Sequence, residues 1–358
     1  MTTTDIKQIM GIAGAFIAFM IGSGFATGQE ILQYFAAHGV YGLCGIGVCL
    51  LLLLYASAAF VRTGYREQFE RPSYIYVYYF GKRMGSVFDY FTVVSIYLCY
   101  IVMIAGAGAA VQQHFSLPIV AGGVFIGIMS CVTVMFGLQR MVDIIGKIGP
   151  FIIIMVIGLA VITIAQSGFS SFAEASSKVA NELGLMRASS NWFLASLSYL
   201  GISIVWLATF MTALGSKANS LRNATAGSCF GVIFYIIGMF LMSIAFILNM
   251  DSLANTQIPT LIIAQNINPV LATIFAAIVL VGIYTTAVPL LWTAVSRFAV
   301  DKTKKFSVLT CIFAGIGTTT GMLVPFNKLV NIVYVLIGYL GFVLIVFIVL
   351  KQIRTRKW

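Results

Sequence analysis

Apolar runs long enough to cross a bilayer recur along almost the whole chain, separated by short polar stretches that carry most of its charge. They fall at about 9 to 36, 39 to 62, 87 to 112, 117 to 137, 144 to 166, 191 to 214, 224 to 250, 269 to 296, 306 to 325 and 328 to 350. Each has room for the ~20 residues a helix needs to cross the hydrocarbon layer. The pattern therefore predicts an all-α, polytopic membrane protein with ten transmembrane helices in a single domain over residues 1–358.

The first run departs from the pattern. Its middle reads Ile21-Gly22-Ser23-Gly24-Phe25-Ala26-Thr27-Gly28-Gln29-Glu30, which puts three glycines, two hydroxyls, an amide and a carboxylate into hydrocarbon. Glycine weakens a helix, and unsatisfied polar groups are costly in lipid. A broken helix whose freed amides and carbonyls hold an ion or a small charged solute accounts for both features. A packing seam would use Gly24 and Gly28, four residues apart, but leaves Thr27, Gln29 and Glu30 unexplained.

Dividing the ten runs five and five gives halves over about 9–166 and 191–350. Five is odd, so the second half must enter the membrane from the opposite side, and halves sharing a fold form an inverted repeat. The helix opening the second half should then be discontinuous as well. The sixth run does carry Gly201 between Ser198 and Ser203, near its middle.

Composition agrees with this reading: of 358 residues 60% are hydrophobic and 9% charged, and the mean hydropathy is +1.02. A soluble fold is excluded. Met1 to Lys7 is short and polar and the run after it is too long for a signal-peptide core, so no cleaved leader is expected. The net charge of +11 would suggest nucleic acid in a soluble protein, but of 21 lysines and arginines only Lys178, Arg187 and Lys328 fall outside when both termini are cytoplasmic. That is the positive-inside asymmetry, so the charge reports topology and a lipid-bilayer setting, with no nucleic-acid partner. The six cysteines lie within apolar runs without metal-ligand spacing, and His38 and His114 fall at outer helix ends.

Several residues are candidates for chemistry. Glu30 is the carboxylate deep within an apolar run, and fits a proton acceptor, an outer gate or a contact for a substrate ammonium; Lys328, at the outer start of the tenth run, is its possible gate partner. Thr285 and Thr286 place two hydroxyls side by side before Pro289, as a desolvated sodium ion needs, or simply bond back to their own helix. Lys147 either snorkels beside Asp143 or sets an ammonium at the cation site as the titrating group of a proton-coupled carrier. Tyr97, Tyr100, Tyr199 and Trp206 are candidates for a pocket wall. The apolar piece from Ile258 to Ala264 reads as a re-entrant or lid helix.

The broken run Ile21 to Glu30, the ten-helix count and the paired threonines together resemble the amino acid-polyamine-organocation superfamily with the LeuT fold. The first-helix run, with the Ala-Gly-Ala-Gly-Ala run at 105–109, is most similar to the bacterial YkvI-type membrane proteins, grouped with amino-acid permeases. The resemblance covers the whole chain and implies a bacterial plasma-membrane carrier with its substrate between helices 1, 3, 6 and 8. It places the substrate carboxylate at the amides of Ser23, Gly24 and Phe25, beside Gly22. The amine falls to carbonyls near Phe19 and around Tyr199 to Ile202, a stretch that includes Gly201 and leads to Ser203. It also implies a sodium site from the carbonyls of Ala18 and Ile21 with Thr285 and Thr286. Phe25 stands where the neurotransmitter symporters have an ion-binding asparagine, and Gly28 where they have a basic gate residue.

The function expected is cation-coupled uptake of an amino acid or similar small zwitterion by alternating access, with Na+ as coupling ion and no organic cofactor. Proton coupling through Lys147 or Glu30 is the alternative. A nutrient sensor with a transporter-like fold is the reading from another class. An enzyme is not expected, because no cluster of His, Cys or paired carboxylates shares one membrane face.

Overall fold

The structure, a computed structural model, describes residues 3–181, 185–253 and 256–355. Its helices are α1 (Thr3–Met20), α2 (Ser23–Thr27), α3 (Gln29–Tyr34), α4 (Val40–Glu67), α5 (Tyr74–Phe80), α6 (Lys82–Phe115), α7 (Ile119–Met135), α8 (Leu138–Ser167) and α9 (Phe172–Asn181). They continue with α10 (Trp192–Ser216), α11 (Leu221–Leu248), α12 (Met250–Leu253), α13 (Pro259–Ile267), α14 (Pro269–Ser296), α15 (Lys304–Gly321), α16 (Phe326–Leu329) and α17 (Val335–Thr355). Among the described residues seven helices are long and apolar enough to cross a membrane, and Ile119–Met135 is a shorter apolar one. The remaining expected runs fall on the segmented α1 to α3 and on α15.

Polar residues set the helix starts. Asn191 accepts from the backbone N–H groups of Phe193 and Leu194, Ser220 from Asn223, Asn268 from Val270 and Thr303 from Phe306. Each supplies an acceptor for first-turn donors that have no partner within the helix. Pro269 takes the first position of α14, where its missing N–H costs nothing.

Burial sorts the helices into centre and rim. In α6 and α10, 83% of the most apolar stretch is buried, against 39% in α8, so α6 and α10 are central while α8 turns much of its surface to lipid. α1 packs against α8 and α11, α10 against α4 and α17, and α14 against α6; α7 and α15 brace α6 from behind. A half-buried ion pair, Arg297 to Asp89 at 2.5 Å, ties the end of α14 to the start of α6, with Arg297 also 4.7 Å from the Tyr90 ring.

The first transmembrane run is broken twice. α1 stops at Met20, Gly22 is extended (φ −78°, ψ −170°), α2 adds one short turn, and Gly28 takes the left-handed conformation (φ 86°) before α3 resumes. Only glycine enters that region without a Cβ penalty.

The expected second break does not exist. α10 runs without interruption from Trp192 to Ser216, through Gly201. A Cβ on Gly201 would be driven into the carbonyl oxygen of Gly338, and one on Gly341 into that of Gly201. Gly201 is thus the point where α10 and α17 touch backbone to backbone, the alternative use of small residues in membrane helices.

Candidate functional site

The break at Ile21-Gly22 interrupts the helical ladder between the bonds Ile21 N–H to Ile17 O and Ala26 N–H to Gly22 O. In a continuous helix the carbonyls of Ala18 and Phe19 would accept from the N–H groups of residues 22 and 23. α14 supplies donors in their place: Thr285 Oγ1 donates to Ala18 O at 2.9 Å, and Thr286 Oγ1 to Ala18 O at 3.0 Å and Phe19 O at 2.7 Å. Thr285 also donates to Gly282 O at 2.9 Å within its own helix. One hydroxyl thus bonds back within α14, and both reach across to the carbonyls of α1. Gly282 faces Ile21 O, with a built Cβ 3.2 Å from it, and Pro289, having no N–H, leaves the Thr285 carbonyl without its helical donor.

These groups form a cluster of neutral oxygens: the carbonyls of Ala18, Ile21 and Gly282 and the hydroxyls of Thr285 and Thr286. Ala18, Ile21, Thr285 and Thr286 are all fully buried. A hydroxyl has one donor and two lone pairs, so each threonine that now donates to a carbonyl can turn a lone pair to a cation. Hard cations take oxygen ligands of this kind. Gly149 of α8 backs the same stretch, with a built Cβ 2.9 Å from Ala18 N. Lys147, two residues earlier, is exposed, so the structure does not bring its ammonium to the cluster.

The face of the break around Gly22 is apolar. A Cβ on Gly22 would lie 3.0 Å from Met103 Cε and 3.2 Å from Thr286 Cγ2. Phe19 stacks near Phe210 (4.5 Å) and Trp206 (6.4 Å). The Trp206 indole donates to Cys99 Sγ at 3.0 Å and meets Tyr334 edge-on at 5.5 Å. The α6 side chains beside the break are thus Cys99 and Met103, not Tyr97 and Tyr100. Tyr97 donates to Phe313 O at 2.8 Å, and Tyr100 lies against Gly317 and bonds Ser130 at 3.1 Å, so both point toward α7 and α15. Cys99 and Met103 are four apart and share a helix face; that spacing was visible in the sequence, but the tyrosines drew the choice by their amphipathic chemistry.

The face around Gly24 is polar. The position of a Gly24 Cβ is filled by the side chain of Glu30, which folds back over α2. Glu30 is 2% exposed and its Oε1 has no hydrogen-bond partner. The hydroxyl of Tyr199 is turned to the carboxyl and bonds that of Tyr235. Tyr34 stands 5.5 Å from the Tyr199 ring, Phe35 stands 5.0 Å from it, and Phe25 lies 4.7 Å from Tyr235. This placement corrects the outer-gate role: Glu30 is buried inside the site while Lys328 is exposed. Tyr34 and Tyr235 had no local signal in the sequence, because only the tertiary fold brings them to Glu30. Ile202 is buried, and Ser203 donates to Tyr199 O at 2.9 Å within α10, so this stretch offers no freed carbonyls.

α13, formed by the expected lid segment, covers the break. Thr260 donates to Ala26 O at 2.8 Å and packs on Gly28. Gln29 donates to Thr256 O at 2.5 Å and accepts from Gln33 at 2.8 Å, which spends its amide on the covering connection. Beyond this cover, burial and then the Arg187 charge lower the His38 imidazole to about 4, so it is neutral at physiological pH. At the N-terminal end of α1 a cleft of about 310 Å³ is lined by Lys7, Gln8, Asp143, Lys217 and Asn219.

No family model matches the chain. Two Bacillus subtilis (strain 168) proteins match along nearly all of it: YyaD, 24% identical over 350 residues (95% of each chain), and the membrane protein YkvI, 21% identical over 352 residues (97% of this chain, 96% of YkvI). Among solved structures, MhsT in complex with L-phenylalanine aligns with a TM-score of 0.70 at 15% identity, covering 94% of this chain and 87% of MhsT. A manganese transporter from Eremococcus coleocola aligns with a TM-score of 0.60 at 14% identity (95% and 78%). Mhp1, a nucleobase-cation-symport-1 family transporter with bromovinylhydantoin bound, aligns at 0.59 and 16% (91% and 74%). The chain shares the LeuT fold. It is a multi-pass membrane protein whose structural neighbours are secondary transporters and not enzymes.

Proposed function

We propose that the protein is a secondary active transporter of the bacterial plasma membrane. It couples entry of Na+ to uptake of a small amine-bearing solute, in the first instance an amino acid or similar zwitterion. The observation that carries this reading is the threonine pair of α14 bonded to the carbonyls that the break in α1 releases. A cation there would join α1 to α14 across the site and hold the unwound segment in its binding form. Substrate binding would then favour closure by its differential affinity for the closed state. α13, seated on α2, is the lid, and the cleft at the N-terminal end of α1 is the cytoplasmic exit.

The neighbours' cargoes do not transfer directly. Among the described residues no three His, Cys, Asp or Glu come together to hold a metal ion, and the oxygen cluster of α1 and α14 contains no carboxylate. The inverted five-plus-five repeat belongs to this proposal, with the correction that α10 is continuous.

The test is uptake into proteoliposomes, after a melting screen of amino acids with and without sodium has chosen the substrate. An inward Na+ gradient is expected to drive accumulation, and collapsing it to stop accumulation. Uptake indifferent to sodium but driven by an acid exterior would replace this reading with proton coupling.

A further inference from the structure

The two faces of the break differ in charge. The Gly22 face and the oxygen cluster are neutral, whereas the Gly24 face holds the carboxyl of Glu30, buried and with Oε1 unpartnered. The described basic side chains that are candidates lie elsewhere: Lys147 and Lys328 are exposed, Arg187 donates to Ala37 O and Val179 O, and Arg297 pairs with Asp89. A buried carboxyl without a fixed counter-charge either keeps its proton or takes a mobile cation as its partner. The oxygen cluster is built on the α1 carbonyls and the α14 threonines, whereas Glu30 lies beside Tyr199 of α10 and Tyr235 of α11.

The surroundings of Glu30 suit an ammonium. The rings of Tyr34, Tyr199, Tyr235 and Phe25 pack against one another beside the carboxyl, and aromatic faces attract cations. Tyr34 Oη and Ser198 Oγ are buried and turned toward each other, and a hydroxyl oxygen accepts from an ammonium N–H.

We infer that the Gly24 face of the break receives the cationic group of the substrate, with Glu30 as its counter-charge, and that the preferred substrates are compact amines of net positive charge. This rests on the reading of the break as the transport site, and it narrows the substrate class. It also reverses the expected orientation: a substrate carboxylate set at Gly24 would face the Glu30 carboxylate, and like charges in a low-dielectric interior repel strongly. An α-amino acid carries its carboxylate one carbon from its amine and meets this repulsion. Its amide or its decarboxylated amine does not.

The test measures binding of matched probes to the full-length protein in detergent, with sodium present: leucine, leucinamide, isopentylamine and 4-methylpentanoate, and the corresponding alanine and phenylalanine sets. The amides and amines are expected to stabilise the protein at concentrations at least about tenfold below the amino acids, and the acids not to bind. In Glu30→Gln the cations should weaken about ten- to a hundredfold, the worth of a charged hydrogen-bonded contact, while the sodium-dependent melting shift persists and shows that the variant is folded. Tyr199→Phe should weaken the same probes less. Amino acids binding as tightly as their amides, no binding by any amine, or a cation preference that survives Glu30→Gln would each overturn the inference. If Glu30→Gln does not fold, the wild-type ranking and Tyr199→Phe decide it. Loss of the sodium shift in the wild type would instead contradict the coupling-ion reading and leave the amine ranking to stand by itself.

Discussion

Replacing Thr285 and Thr286 together by valine is expected to abolish sodium-driven uptake in proteoliposomes. Valine keeps the β-branched shape of threonine, so the packing of α14 against α1 survives, but both hydroxyls are gone. Two of the five oxygens proposed for the cation go with them, and the carbonyls of Ala18 and Phe19 lose the donors now at 2.7 to 3.0 Å. Losing two such ligands at ~1.4 kcal/mol or more each lowers sodium affinity about a hundredfold or more. The buried carbonyls left without donors cost about 1–3 kcal/mol each, which appears as a lower melting temperature. Transport should fall further than stability. Uptake retained at the wild-type rate under the same sodium gradient would remove the threonine pair from the coupling mechanism.

Gly201→Ala is expected to do the reverse, destabilising the protein while leaving sodium dependence intact. The added methyl is aimed at the carbonyl oxygen of Gly338, and Gly341 lies equally close to the carbonyl of Gly201. α10 and α17 must separate to admit it, and overpacking of this kind costs about 1–3 kcal/mol. The readouts are the melting temperature of the purified variant and its ratio of uptake with and without sodium. If α10 unwound at Gly201 to bind substrate, alanine there would instead change substrate affinity with little loss of stability.

That contrast shows where sequence was a sufficient guide. The break in the first run was legible because glycines and polar groups crowded together in hydrocarbon are incompatible with a plain spanning helix. The threonine pair was legible as two adjacent hydroxyls before a proline; Thr285 bonds back to Gly282 O, and both donate to carbonyls of α1. Gly201 was misread because a glycine at a helix crossing and a glycine at an unwound turn look alike along the chain. Only Gly338 and Gly341, more than a hundred residues away, distinguish them. Tyr97 and Tyr100 were misread for a related reason: on a helix buried all round, the sequence does not say which face meets the substrate and which meets α7 and α15. Glu30 stood out along the chain as a buried carboxylate, yet its direction was not accessible. Its side chain fits over α2 because Gly24 leaves room, and that depends on how α3 folds back after the left-handed turn at Gly28.

The central claim is that the oxygens of α1 and α14 form a sodium site. Its most direct test is the melting temperature of the purified full-length protein in NaCl, KCl and choline chloride at equal ionic strength. Binding to the folded state alone stabilises it by about 2.7 kcal/mol at a hundred times the dissociation constant. A saturable rise is expected in sodium alone, absent from the Thr285→Val/Thr286→Val variant. Equal melting in the three salts, or an undiminished sodium response in that variant, would contradict it.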